Sequence, residues 1–394
     1  MIEKLDYYGR GVMHDDGKVI FVENALPGEE VEIKVTNSTP SYDEAVVLNY
    51  IKKSSKRVKS KCPYFEVCGG CQLRNMSYQD TLKYKKEKLS EILLHKAGIE
   101  KTVKVIQSEN KDYYRNKIEL KCHDSKYGFY KKGSHELVEI DRCINAEESI
   151  NKFLYNINDL NLINGDITVK TNLNNEIILD IKSKDENKVN IEHLTSKNKI
   201  AGIIYNDKVI YGSNHFIETI DDLNFKESYN SFFQINRDIN KELFKLIEEN
   251  IDEGSTVIDL CSGVGTLGII AAKKASKVYS LEIVENSIKD GILNAKMNSR
   301  NNIEFICGDA FNLMEGIDAD TLIVDPPRKG ISKLGIDKIM NNNYKKIIYI
   351  SCNPITLARD LNILKEKYDI QKIYMLDMFP YSYHSESVCI LERL

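Results

Sequence analysis

From about residue 228 to the end, short apolar runs alternate with stretches of helical periodicity. The runs read as strands at 256–260 (TVIDL), 277–282 (KVYSLE), 303–307 (IEFIC), 320–324 (DTLIV), 346–350 (KIIYI), 371–376 (QKIYML) and 387–392 (SVCILE). Strands alternating with helices in this way predict a parallel α/β sheet, here with seven strands. The first fifty residues have another texture. "KVIFVENALPGEEVEIKVT" holds a strand, a Pro-Gly turn and a strand in which Val31, Ile33 and Val35 alternate with polar residues; "EAVVLNYI" adds one more. That pattern predicts a small β-barrel. Residues 79–97 read as a Lys-rich helix, and 101–220 mix strands and turns rich in Tyr, Asn and Lys. The expected domains are a barrel over 1–52, a central α+β unit over 53–222 and an α/β unit over 223–394, with helix 79–97 a candidate to pack on the last.

At 394 residues the chain is too long for one core. The N-terminus, MIEKLDYYGRG, lacks the apolar centre of a signal peptide, and no run approaches the ~20 apolar residues of a membrane span. A cytoplasmic protein is expected, so the nine cysteines are read as free, metal-bound or catalytic rather than disulfide-paired. A net charge of −4 confines any nucleic-acid binding to local patches. Two basic runs qualify, Lys52–Lys61 and Lys83–Lys88, although a Lys run is as easily a solvated surface.

"VIDLCSGVGTLGIIAA" is a strand, a Gly-rich turn and a helix, with Gly263, Gly265 and Gly268 in G-x-G-x-x-G spacing. Such a turn brings a ligand close to a helix N-terminus. Glu282 ends the next strand, where a carboxylate can bind ribose hydroxyls. The Asp259-Leu260-Cys261-Ser262 lead-in is the methyltransferase form of this turn rather than the NAD form. Gly308-Asp309-Ala310 and Asp325-Pro326-Pro327-Arg328 follow the third and fourth strands, at the sheet edge where ligands collect.

Ser351-Cys352-Asn353-Pro354 ends the fifth strand and opens a helix. A cysteine there can be simple core, but a helix N-terminus also favours thiolate. Methylation of a pyrimidine C5 needs a thiolate: addition at C6 makes C5 nucleophilic. A base must then remove the C5 proton. Glu386, just before the last strand, is the candidate and His384 its rival. Separately, Cys62, Cys68 and Cys71 form C-x5-C-x2-C, with Cys143 as the preferred fourth ligand and Cys122 the alternative. Four cysteinates hold either zinc or a [4Fe–4S] cluster.

The motifs SFFQIN (231–236), DLCSGVGTLGI (259–269), DPPRKG (325–330), SCNP (351–354) and HSE (384–386), in this order, make the chain resemble the RNA uracil-C5 methyltransferase family. The closest likeness is to the iron–sulfur branch acting on 23S ribosomal RNA. Residues 1–50 resemble the TRAM RNA-binding domain. The resemblance implies Cys352 as nucleophile and Glu386 as proton acceptor. It implies S-adenosylmethionine contacts from Gln234, Cys261, Thr266, Glu282, Asp309 and Asp325. It also implies a [4Fe–4S] cluster on Cys62, Cys68, Cys71 and Cys143, a monomer, and a flipped uridine in 23S rRNA as target, with the tRNA T-loop uridine as the alternative. Cys261 stands where the family usually has an aromatic residue, and Ser382 where it has Thr. The competing classes are an exocyclic-amine methyltransferase, which would need neither Cys352 nor Glu386, and a non-catalytic iron–sulfur RNA-binding protein, which would leave the later motifs idle.

Overall fold

The structure, a computed structural model, describes residues 1–186 and 189–394. Five strands build the N-terminal domain: β1 (Lys4–Leu5), β2 (Gly11–Asp15), β3 (Lys18–Glu23), β4 (Glu30–Ser38) and β5 (Tyr42–Lys52). Asp16 and Gly17, both at positive φ, make the tight β2–β3 hairpin. The order β1-β2-β3-β5-β4 leaves β1 and β4 as edges, so the expected barrel is an open sheet not closed by hydrogen bonds. Ile2, Ile20, Val22, Ala25 and Ala45 form its small core. Part of the following basic run is structural, because Arg57 donates to buried Glu29 (2.5 Å) and to the Asn24 carbonyl (2.6 Å).

Ser77 caps α1 (Tyr78–Ala97), accepting from the Asp80 amide, and Gly98 at φ 62° closes its C-terminus. Leu82, Leu89 and Leu93 of α1 pack into one core with Leu357, Leu361 and Leu364 from a C-terminal helix. Strand β6 (Val103–Ile106) then pairs in parallel with a C-terminal strand.

The central domain carries β7 (Lys117–His123), β8 (Lys126–Tyr130), β9 (Leu137–Glu139), α2 (Glu148–Leu154), β10 (Gly165–Thr171), β11 (Ile177–Lys182), α3 (Ile191–Lys197), β12 (Ile200–Tyr205) and β13 (Lys208–Gly212). Its seven strands run in the order β13-β12-β11-β10-β7-β8-β9. The helices α2 and α3 close one face through Ile150, Phe153, Leu154 and Leu194. A hairpin of β14 (His215–Ile220) and β15 (Leu223–Ser228) leads onward and packs Leu223 and Phe225 into the C-terminal core.

The C-terminal domain comprises α4 (Arg237–Asn250), β16 (Thr256–Leu260), α5 (Thr266–Ala271), β17 (Lys277–Glu282), α6 (Glu285–Met297), β18 (Ile303–Cys307), α7 (Ala310–Leu313), β19 (Thr321–Val324), α8 (Lys333–Asn341), β20 (Lys346–Ser351), α9 (Pro354–Leu364), β21 (Tyr368–Leu376) and β22 (Glu386–Arg393). The sheet order is β18-β17-β16-β19-β20-β22-β21-β6, with β22 antiparallel to both neighbours. The expected seven-stranded sheet is therefore eight-stranded, and β6 from residues 103–106 is the addition. Chain direction along the sheet reverses between β16 and β19, the crevice where ligands bind in open α/β sheets. A buried network ties this domain to the central one: Arg237 at the start of α4 bonds Glu218, Glu147 and the Thr171 carbonyl.

Candidate active site

The Gly-rich turn joins β16 to α5. Gly263 takes φ +54°, and nothing would meet a side chain there within 4 Å, so this point opens on space. Gly268 is the opposite case: a Cβ would stand 2.5 Å from Ser280 Oγ and 2.9 Å from Asp259 Oδ2. Its absence lets Gly268 N–H donate to Asp259 at 2.9 Å and seats the helix against the strand. Glu282 Oε2 accepts from Gly263 N–H (3.0 Å) and Oε1 from Val284 N–H (2.9 Å), which fixes the carboxylate beside the turn.

Gln234, Cys261, Thr266 and Asp325 line one cavity with Phe232, Phe233, Asn240 and Ser262. Glu282 and Asp309 lie outside that lining, at the neighbouring strand ends. Both carboxylates are still felt by Cys261, whose thiol is pushed up to about 12 by burial first and then by Glu282, Asp325, Asp259 and Asp309. Asp309 also caps α7 through Asn312 N–H. Two buried polar atoms of the lining, Ser262 Oγ and Asn240 Oδ1, have no hydrogen-bond partner. Unpaired buried groups are costly, so their presence here fits a cavity made for a polar ligand.

Beyond Asp325 the site becomes reactive. Cys352 closes β20, Asn353 caps α9 by accepting from Ile355 N–H, and Pro354 takes the first helical position. The sequence led us to expect a depressed thiol pKa at this helix start. The structure corrects this: burial, then the carboxyls of Glu386 and Asp325, push the Cys352 thiol up to about 11 against the pull of Arg328. Glu386 is only 2% exposed, and its Oε1 has no partner. Burial, and then Asp325, hold its carboxyl well above the usual range, with Arg328 opposing. Asp325 and Asp259 are each raised to about 7 by burial.

His384 lies in the same region, but its imidazole is lowered to about 4 by burial and by Arg328, Lys85 and Arg115. It rests 4.0 Å from the Tyr383 ring. Ser382 Oγ donates to the Phe379 carbonyl (3.0 Å) and accepts from His384 N–H (3.2 Å), so a hydroxyl at this position shapes the loop before Glu386. Arg328, the common cation of the cluster, was assigned no part from sequence; its signal was its place directly after the two prolines that end the β19 turn.

The four cysteines of the second constellation also meet. Cys62, Cys68, Cys71 and Cys143 line a cleft of about 790 Å³ that continues past Lys117, Lys131, Lys132 and Arg142 to Arg328. Burial pushes Cys68 up to about 12 and also raises Cys62 and Cys143. Asn145 Nδ2 donates to Cys71 Sγ at 3.1 Å and Gly70 N–H to Cys68 Sγ at 3.4 Å. Cys122 is elsewhere, fully buried in the central core and facing the Leu162 and Ile163 carbonyls. Among the described residues, no three His, Cys, Asp or Glu side chains stand in the geometry of a single-ion site.

The sequence profile of the tRNA (Uracil-5-)-methyltransferase family matches residues 77–394, and that of the TRAM domain matches residues 1–48. The chain belongs to the tRNA (uracil-5-)-methyltransferase family. The match begins at Ser77, the cap of α1, in keeping with α1 packing in the C-terminal core and β6 joining the C-terminal sheet. The chain is 34% identical to an uncharacterized RNA methyltransferase of Halalkalibacterium halodurans, covering 99% of this chain and 96% of that protein. It is 35% identical to one of Fusobacterium nucleatum over 100% of this chain and 95% of that protein. Among solved structures it resembles the Pyrococcus abyssi tRNA (uracil-54, C5)-methyltransferase in complex with S-adenosyl-L-homocysteine, with a TM-score of 0.83, 25% identity and 99% of each chain covered. The protein is thus an S-adenosylmethionine-dependent RNA methyltransferase of the uracil-5 family. Among the described residues no helix is long and apolar enough to cross a membrane.

Proposed function

We propose that the protein methylates carbon 5 of a uridine in 23S ribosomal RNA through a covalent adduct on Cys352. The observation that carries the C5 chemistry is the buried carboxyl of Glu386 beside Cys352, its Oε1 without a partner. Gln234, Cys261, Thr266 and Asp325 would hold S-adenosylmethionine, with Glu282 and Asp309 at the neighbouring strand ends, and it would supply an electrophilic methyl group and leave as S-adenosylhomocysteine. Cys352 Sγ adds to C6 of the flipped uridine and makes C5 nucleophilic. Once C5 carries the methyl group, Glu386 takes its proton and the C6–Sγ bond breaks, freeing Cys352 and 5-methyluridine. A carboxylate whose affinity for a proton is raised by burial is a stronger base for this step than an ordinary one.

The same proposal assigns Cys62, Cys68, Cys71 and Cys143 to a [4Fe–4S] cluster. A single ion draws its thiolates to one point, whereas a cluster takes one at each iron, and four thiols around an open cleft suit the latter. The N–H donors of Asn145 and Gly70 aimed at sulfur suit thiolates. Bound there, the group cross-links the 62–71 segment to the start of α2.

The Pyrococcus abyssi likeness, which spans 99% of both chains, favours tRNA uridine-54 as a second reading of the target. Methyl-labelled S-adenosylmethionine offered with 23S rRNA or tRNA transcripts, followed by nucleoside analysis, tests both. Labelled 5-methyluridine from 23S rRNA alone supports the first reading, and from tRNA alone the second. Label in any other nucleoside overturns the C5 mechanism.

A further inference from the structure

The N-terminal domain reaches the catalytic centre at the turn between β1 and β2. Between β1 and β2 the chain reverses at Asp6–Arg10, and Asp6 builds the turn by accepting from Tyr8 N–H (2.9 Å) and Arg10 N–H (2.8 Å). Tyr84 on α1 clamps it from beneath, donating to the Asp6 carbonyl at 2.6 Å, with the Tyr7 carbonyl at 2.9 Å. Leu5, Leu26, Leu73 and Met76 pack under it, and Tyr383 joins that cluster from the loop before Glu386.

The result is an aromatic wall. Tyr7 and Tyr8 meet edge to face at 5.2 Å. Each also meets Tyr383 edge to face, at 5.5 and 5.4 Å. Tyr383 in turn covers His384. The Tyr7 hydroxyl lies within electrostatic reach of both the Cys352 thiol and the Arg328 guanidinium. Yet Tyr8 remains 45% exposed, although the turn that carries it is tied down on every side. A rigid, half-open aromatic ring that touches Tyr7, the tyrosine nearest the reactive thiol, and has the Arg10 guanidinium 5.5 Å from its centroid, offers what an unstacked base and its phosphate require.

We propose that Tyr8, backed by Tyr7 and Tyr383, is a stacking platform for the unpaired nucleobase that flanks the target uridine, so that the N-terminal domain completes the active site. This rests on the uridine reading above. It makes the domain a positioning element for catalysis in addition to any role in RNA affinity. A base stacked there keeps the strand splayed while its neighbour enters beside Cys352, with Arg328 placed for the phosphate between them.

The test uses the full chain and a single-stranded oligonucleotide in which 2-aminopurine flanks one uridine, with S-adenosylhomocysteine present. Stacking on Tyr8 quenches 2-aminopurine fluorescence. Tyr8→Ala is expected to abolish the quench and lower kcat/KM on the transcript that the wild type methylates by about 5- to 150-fold, the range for one lost base stack. Tyr8→Phe, which keeps the ring, should restore both relative to Ala, while Tyr8→Leu, which keeps only apolar bulk, should not. Calorimetric affinity for S-adenosylhomocysteine should be equal in all four proteins. Recovery by Leu, an unchanged Ala variant or a lost cofactor affinity would each overturn the platform. None of these outcomes bears on the uridine reading, which fails separately if Cys352→Ala still methylates C5.

Discussion

Cys352 stands opposite Glu386. The antiparallel pairing of β20 with β22 ends at Ser351 and Ser387, and Cys352 and Glu386 are the next residues on the two strands, close enough for the carboxyl to act on the thiol. Two residues whose order in the chain hides any relation are thereby held at adjacent strand ends, where, after burial, the Glu386 carboxyl helps raise the thiol. This geometry separates their roles by step. Cys352→Ala removes the nucleophile, so methyl transfer should fall to background with no covalent RNA complex. Glu386→Gln leaves addition and methylation intact but strands the C5 proton. It should lower turnover by about 10²- to 10⁴-fold and accumulate a methylated protein–RNA adduct that survives a denaturing gel.

The raised thiol gives a pH prediction in the resting enzyme. Only thiolate is alkylated, and with a pKa of about 11 the fraction ionised at pH 7 is far below that of an ordinary cysteine near ~8.5. The rate of Cys352 alkylation by iodoacetamide, followed by peptide mass spectrometry, should climb from pH 7 to beyond pH 10 without levelling. Glu386→Gln removes a negative neighbour and should move the curve to lower pH. Arg328→Met removes the opposing cation and should move it to higher pH. A plateau below pH 9 in the wild type would show that the site favours thiolate already.

What the sequence made legible follows from how each element earns its stability. Buried parallel strands are largely apolar, and β16, β19 and β20 show this in a local window. Strand β6 has only Val103–Ile106, and its partner β21 lies at the other end of the chain, so no local pattern could reveal the eighth strand. The glycine turn and the Cys352 and Glu386 motifs were readable because their chemistry demands particular residues. The Cys352 pKa was not, because the helix start is local while the burial that outweighs it, and the carboxyls that add to it, come with the packing of β19 and β22. The Tyr7–Tyr383 contact is invisible for the same reason.

The cysteine constellation divides by alternation. Ile118, Leu120 and Cys122 are all buried along β7, a period of two that assigns Cys122 to the core face, whereas Cys143 follows β9 and opens on the cleft. Protein purified without oxygen should therefore carry about four irons per chain. Cys143→Ser should lose them, and Cys122→Ser should keep them despite some loss of core packing. One zinc and no iron in the wild type would overturn the cluster assignment.

The Lys83–Lys88 run, read as a basic patch or a solvated face, is neither at Lys85. That side chain is fully buried, 2.5 Å from Asp377 Oδ1 and 2.9 Å from the Phe379 carbonyl, while Tyr78 donates to Asp377 Oδ2 at 2.8 Å. Helix α1 is thus bolted to the chain just where β21 gives way to the loop that carries His384 and Glu386. Removing one partner of a buried pair leaves an uncompensated charge, so Lys85→Met should destabilise the protein by about 3–5 kcal/mol in urea unfolding. Replacing both, as Lys85→Met with Asp377→Leu, removes the stranded carboxylate and should recover much of that loss. The double variant still lacks the bond to the Phe379 carbonyl, so its loop is less tightly held. It should regain stability more fully than kcat, and equal recovery of the two would show that the pair only holds the domain together.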